Sequence, residues 1–359
     1  MKKFQILSIV VIFLFSTSGL AHPWYQKMKI FGDFTYRHER FTGNSARERN
    51  RHRIRARLNL NVHMSENLDF FFGLASGGVS RVTVNQTLGD ANDGAANKPI
   101  GIDTAYLDFK FKNSTILAGK IINPYFRPGG GQLIWDGDLT HDGIAYKFLK
   151  KIHSFTIFSN LGTGWWNEVA AGTDTISFSG QVGFTHHVGN NFSSTLSLGR
   201  HHFEGTKNHT PIASSANGNS TEQFGLYANA YVLNELGLEF IYQLSSNYPV
   251  LLFGNLSHNE GAFQNDQAYL FGMGIGQAQR SGTFSLQYNY RRIEKDGVIG
   301  ALTDGDFLNG STDGEGHQYT LQYRINNYLQ IVGNYIANHR TFATPKAYEK
   351  YMFDIMANF

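Results

Sequence analysis

Residues 47–64 read RERNRHRIRARLNLNVHM, with arginine at 47, 49, 51, 53, 55 and 57, every second position. The even positions turn apolar as the run proceeds: Ile54, Ala56, Leu58, Leu60, Val62 and Met64. In a β-strand successive side chains point to opposite faces. The period of two therefore sorts this stretch into an aliphatic face and a face of arginine followed by Asn59, Asn61 and His63. Soluble sheets alternate too, so the pattern alone does not decide the fold. The arginines do. Neighbouring guanidiniums on one face stand about 6.7 Å apart, twice the strand rise. They repel by roughly 0.6 kcal/mol in water and about four times that at a protein-like dielectric. Such a ladder needs water, counter-charges, or both. A β-barrel wall with lipid outside and an aqueous lumen inside supplies them.

The rest of the chain repeats the pattern. MKIFGDFTYRHER, from Met28, sets Met28, Ile30, Gly32, Phe34 and Tyr36 against Lys29, Asp33, Arg37 and Glu39. The polar segment Phe41–Asn50 is expected to connect it to the arginine strand. GIDTAYLDFKFK sets Ala105, Leu107, Phe109 and Phe111 against Tyr106, Asp108 and Lys110. Seventeen stretches read as strands, among them Glu222–Val232. Bacterial single-chain barrels have even numbers, so one reading is surplus. Gly162–Gly172 is a place where a further strand can hide, and turn lengths break the rhythm over 243–266. Short turns at Lys112-Asn113, Lys150-Lys151, Leu233-Asn234 and Ile325-Asn326 alternate with long polar loops such as His202–Thr221 and Glu294–Gly316. The expected fold is all-β: a transmembrane up-and-down antiparallel β-barrel of about 16 strands, 18 remaining open, with long extracellular loops and short periplasmic turns.

The first 21 residues have the form of a cleaved export signal. Lys2 and Lys3 precede an apolar core, Ile6 to Phe15, and Gly19-Leu20-Ala21 is a small-residue cleavage site. The apolar run is shorter than the roughly 20 residues a spanning helix needs. This divides the chain into a leader, 1–21, and a barrel, 22–359. Removing the leader takes two of 31 basic residues and none of 28 acidic ones, leaving 29 − 28 = +1. Net charge therefore gives no reason to expect nucleic acid; the clustering of positive charge is what matters. The absence of cysteine excludes a disulfide framework and a thiolate metal site. The chain ends on a well-patterned strand in which Tyr351, Phe353, Ile355, Ala357 and Phe359 alternate with Met352, Asp354, Met356 and Asn358. Tyr351, Phe353 and Phe359 are read as an assembly signal, recognised by strand pairing in the barrel-assembly machinery.

RHRIRARLNL at Arg51–Leu60, NQTLGD at Asn85–Asp90, IDTAYLD at Ile102–Asp108 and LAGKIINP at Leu117–Pro124 occur in the order found in one family. LIWDGDL at Leu133–Leu139, LTDGDF at Leu302–Phe307 and GEGH at Gly314–His317 continue the series. The chain resembles the putative porins of Gram-negative outer membranes. The resemblance implies a channel-forming barrel for small hydrophilic solutes, with no catalytic residues and no cofactor. The partners it implies are outer-membrane lipid and lipopolysaccharide, with a homotrimer as one assembly open to it.

Arg53, Arg55 and Arg57 are expected to line the pore, with Asp33, Arg37, Asp108, Lys110 and Lys120 on the same inner face. The loop after the fifth strand, carrying Arg127, Asp136 and Asp138, is expected to fold inward and face them as a constriction. Rings of fixed charge select ions by sign, so the ladder predicts an anion lean. The plainer alternative is that Asp33, Glu39 or Asp108 neutralise the arginines within the wall. DGD at Asp136–Asp138 and at Asp304–Asp306, and DGEG at Asp313–Gly316, lack the ligand spacing of a calcium loop and read as solvated turns. GTGWW at Gly162–Trp166 reads as a loop anchor or girdle piece. No metal is assigned to the His pairs at 186–187 and 201–202, because adjacent strand residues face opposite ways. A barrel-borne lipase or protease, or an adhesin or receptor barrel, is the alternative function. No spacing of Ser and His singles out a triad.

Overall fold

The computed structural model describes residues 24–43, 45–78, 80–90, 94–340 and 347–359. The expected leader lies outside them. The strands are β1 (Met28–Gly43), β2 (Ser45–Ser65), β3 (Leu68–Ser76), β4 (Gln86–Thr87), β5 (Ile100–Phe111) and β6 (Ser114–Ile122). They continue as β7 (Thr140–Ile152), β8 (Phe155–Asn167), β9 (Thr175–Val188), β10 (Phe192–Glu204), β11 (Tyr231–Gln243) and β12 (Pro249–Asn259). The last five are β13 (Gln267–Gly276), β14 (Phe284–Ile293), β15 (Gly314–Arg324), β16 (Leu329–Arg340) and β17 (Ala347–Asn358). The two-residue β4 pairs with β2 at Arg53 and Ile54, beyond the reach of the short β3. The other sixteen make one antiparallel wall in chain order, closed by β17 against β1 from Asp33↔Asn358 to Thr42↔Glu349. Gly32 and Phe359 complete the seam with reciprocal backbone hydrogen bonds of 3.1 Å. Closure leaves no edge to lipid, where each unsatisfied backbone group costs several kcal/mol.

The faces separate as the sequence patterning demands. Ile30, Phe34 and Leu58 point outward, as do Tyr351, Phe353 and Ile355 of β17, each between 44% and 61% exposed. Glu39, Arg53, Arg55, Lys350 and Asp354 point inward and are buried. An outward tyrosine row crosses β14–β17 in register, Tyr288↔Tyr319↔Tyr335↔Tyr351. Apart from the β1–β2 hairpin, which closes at the opposite end, the short turns lie with the beginning of β1 and the end of β17 at one end of the barrel and the long connections at the other.

Several boundaries differ from expectation. The expected strand at Glu222–Val232 is the surplus one: residues 205–230 are a loop, and β11 begins at Tyr231. Leu233-Asn234 is therefore inside β11, and Lys150-Lys151 inside β7, whose turn is His153-Ser154. Gly162–Gly172 hides no extra strand, since β8 runs through to Asn167. Phe41–Asn50 is largely a continuation of the β1–β2 hairpin.

The larger departure concerns the long polar loops. The connections 205–230 and 294–313 turn into the barrel and meet the loop 123–139 in one apolar cluster. Leu133, Ile134 and Trp135 pack there with Ile212 and Tyr227 from one loop, and Val298, Ile299, Leu302, Phe307 and Leu308 from another. Inward Phe203, Tyr231, Leu233, Leu270, Ile293 and Ile336 hold this plug against the β10–β16 side of the wall. Burying a large apolar side chain contributes roughly 1.5–3 kcal/mol, enough to hold loops whose average composition is polar. Open space remains along the β1–β6 side of the lumen and, in a further cavity, against β14–β17.

Candidate functional site

The ladder is bound to carboxylates at every rung whose side chain is described on the inner face from Arg51 to Arg57. In the β1–β2 register Asp33 stands opposite Arg57 and Glu39 opposite Arg51, so each acid also reaches the next arginine diagonally. Asp33 accepts from Arg55 Nε at 2.9 Å and Arg57 Nε at 2.7 Å. Glu39 accepts from Arg51 and Arg53, with Arg37 at 3.6 Å and Lys350 at 3.7 Å. Arg37 makes a two-pronged contact with Asp354, 2.7 and 2.8 Å. Arg53 also donates to the Asn85 carbonyl at 2.6 Å, which ties NQTLGD to the wall. Asp108 takes no part; its Oδ1 is buried without a hydrogen-bond partner. Lys110 pairs with Asp69 and Lys120 with Asp142.

The loop after β6 crosses the barrel. Its tip rests on the far wall: Gly129 N–H donates to Glu239 at 2.7 Å, and Gln287 donates to the Gly129 carbonyl at 3.0 Å. Gly129 has φ +58°, and a Cβ there would stand 2.4 Å from the Phe253 ring, so only glycine fits this contact. Returning, the loop plants Trp135 between His141, Trp166 and His201. Trp166 is thus the loop anchor, while Trp165 faces outward. Asp138 then arrives beside the ladder, 3.9 Å from Arg55 and 3.7 Å from Arg57.

Asp136 is directed elsewhere. Its carboxylate accepts from the backbone N–H of Gly305 and of Asp138, and its own N–H donates to Leu302. Thr303 donates to the Gln132 and Leu133 carbonyls, so the loop from β14 clasps the inward loop. Burial, and then the nearby Asp304 charge, push the Asp136 carboxyl well above the usual carboxylate range. Neither DGD is a solvated turn. Asp304 binds Arg291 at 2.8 Å, and Asp306 binds Lys350 with Arg37 at 3.6 Å.

Three cavities run beside the ladder, and one of them, about 400 Å³, lies between the inward loop and β14–β17, among Arg37, Arg55, Gly130, Gln318 and Asp354. A second, of about 270 Å³, lies at the loop end, among Gly77, Arg81, Lys120, Asp142 and Trp166. The third, of about 680 Å³, opens toward the turn end, among Phe31, Asp33, Arg57, Asn59, Arg127 and Asn358. Asp103, Asp138, Leu139 and Thr140 line these last two. Asp103 is absent from the sequence reading, because strict alternation puts it on the lipid face with Ala105 and Leu107. A register shift between β3 and β5, at Gly73/Leu74, brings it inside. An aspartate apparently facing lipid was the available signal for that bulge.

A closed sixteen-strand wall, apolar outside and charged inside, with a loop folded into its lumen, defines a channel-forming outer-membrane β-barrel. The chain matches the family model described as putative porin over residues 35–232 and 235–359, and it belongs to that family. Among solved structures it is similar to OprB of Pseudomonas putida, at 9% identity with a TM-score of 0.62 over 93% of this chain and 94% of that one. It is similar also to OmpF of Salmonella typhi, at 10% identity with a TM-score of 0.55, covering 92% and 97%. A loop L8 deletion mutant of OmpT, an outer membrane protein of Vibrio cholerae, matches at 11% identity and a TM-score of 0.53, covering 92% and 99%. No curated protein matches in sequence. Family and fold are those of a channel protein rather than an enzyme.

Proposed function

We propose that the protein passes small hydrophilic solutes passively across the outer membrane, with its short turns in the periplasm and its long connections toward the outside. The observation that carries this reading is the pair of cavities meeting at Asp103, Asp138, Leu139 and Thr140 inside an apolar-surfaced barrel. Around them stand four cations, Arg57, Arg81, Lys120 and Arg127, and four carboxylates, Asp33, Asp103, Asp138 and Asp142. The anion lean expected from the ladder is therefore weak, and its main electrical feature is a field across the passage. Cleavage of the leader after Ala21, delivery through the terminal strand, lipopolysaccharide around the loop end and assembly as a homotrimer belong to the same reading. Planar-bilayer recording of the purified protein tests it. Steady open channels with modest ion selectivity are expected; a barrel that never conducts would remove the proposal.

A further inference from the structure

The cavity between the inward loop and β14–β17 shares no lining residue with the two that meet at Asp103 and Asp138. Its charged lining is already paired. Arg37 is bound to Asp354, Arg55 to Asp33 and Arg291 to Asp304. The remaining polar lining is carboxamide and hydroxyl, chiefly Gln287, Gln318, Thr320, Gln322, Gln330 and Asn334. Gln287, Thr320 and Asn334 stand side by side in register across β14, β15 and β16. Gln318 and Gln322 flank Thr320 on the same face of β15, about 6.7 Å to either side. Each amide spends one end on the protein. The Gln318 oxygen accepts from Arg291 at 2.7 Å, the Gln322 oxygen from Gln330 at 2.8 Å and the Asn334 oxygen from Thr320 at 2.7 Å. The NH2 groups of Gln318, Gln322 and Asn334, and the oxygens of Gln287 and Gln330, have no hydrogen-bond partner among the described residues, and all remain accessible.

Three donor groups and two acceptors therefore line one space of about 400 Å³ whose charges are internally balanced, a volume within the range of small-molecule sites. An ion entering it would give up water without meeting an unpaired charge of opposite sign. A solute whose groups both donate and accept exchanges its water hydrogen bonds for those of the wall one for one. Hydroxyl groups do this, and several on one small frame match several amide ends on one patch. We infer that this cavity is a binding site for small uncharged polyols of the sugar type. The inference rests on the channel reading for the solute's route, not for the site itself.

The test is saturation-transfer NMR of the intact, detergent-folded protein with glucose, beside glucosamine and glucuronate, which carry an ammonium or a carboxylate on the same frame. Glucose should bind saturably, and the two charged analogues about fivefold more weakly or worse. Gln322→Met and Asn334→Leu keep side-chain size and remove the amide; each should weaken glucose about fivefold, as the loss of one neutral hydrogen bond does. Heat-modifiable gel migration reports whether each variant has folded, and where one has not, the comparison of the three sugars on the unaltered protein decides. A glucose signal that does not saturate, equal affinity for the charged analogues, or undiminished glucose binding in both folded variants would overturn the inference. Binding is read without conduction, so that failure leaves the channel standing. A barrel that binds glucose and never conducts would uphold the site and remove the channel reading alone.

Discussion

Replacing Arg55 and Arg57 together with Ser should turn the channel toward cations. Both arginines are bound to Asp33 and stand within 4 Å of Asp138, so the double change leaves two carboxylates uncompensated. For a monovalent ion passing at roughly 7 Å, each lost charge alters its energy by about 0.6 kcal/mol in water. At 0.1 M salt the Debye length of about 10 Å roughly halves that figure. Two charges then shift a cation and an anion by about 0.6 kcal/mol each in opposite directions, an eightfold or so rise in the cation-to-anion permeability ratio. In 1 M salt, with a Debye length of about 3 Å, the same change should shrink to roughly 1.5-fold. The measurement is the reversal potential across a salt gradient, at low and at high mean concentration. An unchanged potential at low salt, with single-channel conductance intact, would refute the reasoning: the ladder would then be neutralised in place or lie off the conducting path.

Three further outcomes are expected. Asp138→Asn should raise anion preference in the same assay by removing a carboxylate beside the ladder, whereas Asp136→Asn sets an amide NH2 against one of the two N–H groups its carboxylate accepts, loosens the clasp, and should shift selectivity and open-channel noise together. The raised Asp136 carboxyl means that the folded state holds its proton more tightly than the unfolded chain does. Its contribution to the clasp is then complete below about pH 4 and lost as pH rises through the raised value. Open-channel noise should accordingly grow with pH, and Asp136→Asn, which cannot ionise, should flatten that dependence. Deleting Phe359 removes one outward aromatic, worth at most a few kcal/mol of burial. Refolding in detergent should stay near normal while outer-membrane yield in cells falls sharply; equal losses in both would assign the residue to barrel stability instead.

The wall was legible because lipid and water impose a strict alternation, and a strand such as β2 has no other way to satisfy both. The loops were not, because a buried loop satisfies its side chains against other loops without any local period. Residues 222–232 show the difficulty. Phe224, Leu226, Ala228 and Ala230 alternate as a strand should, yet Phe224 is 94% exposed and the out-of-phase Tyr227 is fully buried in the plug. Residues 294–313 read as polar through their Gly, Asp and Thr, while Val298, Ile299, Leu302 and Phe307 are almost wholly buried. Mean composition hid the few side chains that dock. At the site, period two was enough to place Arg53, Arg55 and Arg57 inside, but it offered Asp33, Glu39 and Asp108 alike as partners, and only the first two bind them. It could not place Asp103, where the period itself breaks.

The two DGD turns show how these layers act together. Each has the same local construction, its first aspartate accepting the N–H two residues on: Asp136 from Asp138 at 2.7 Å, Asp304 from Asp306 at 2.9 Å. The turns are joined where Gly305 N–H donates to Asp136. Each then extends its last aspartate to the wall, Asp138 toward Arg55 and Arg57, Asp306 to Lys350 and Arg37. The wall acids Asp33 and Glu39 alone cannot balance Arg37, Arg51, Arg53, Arg55, Arg57 and Lys350; with Asp354, Asp138 and Asp306 the remaining charge is met largely from the loops. A displacement of the clasp therefore changes the width of the passage and the field within it at the same time. Selectivity and open-channel noise should move together when the clasp is altered, although the residues that join the two loops contact no part of the arginine ladder.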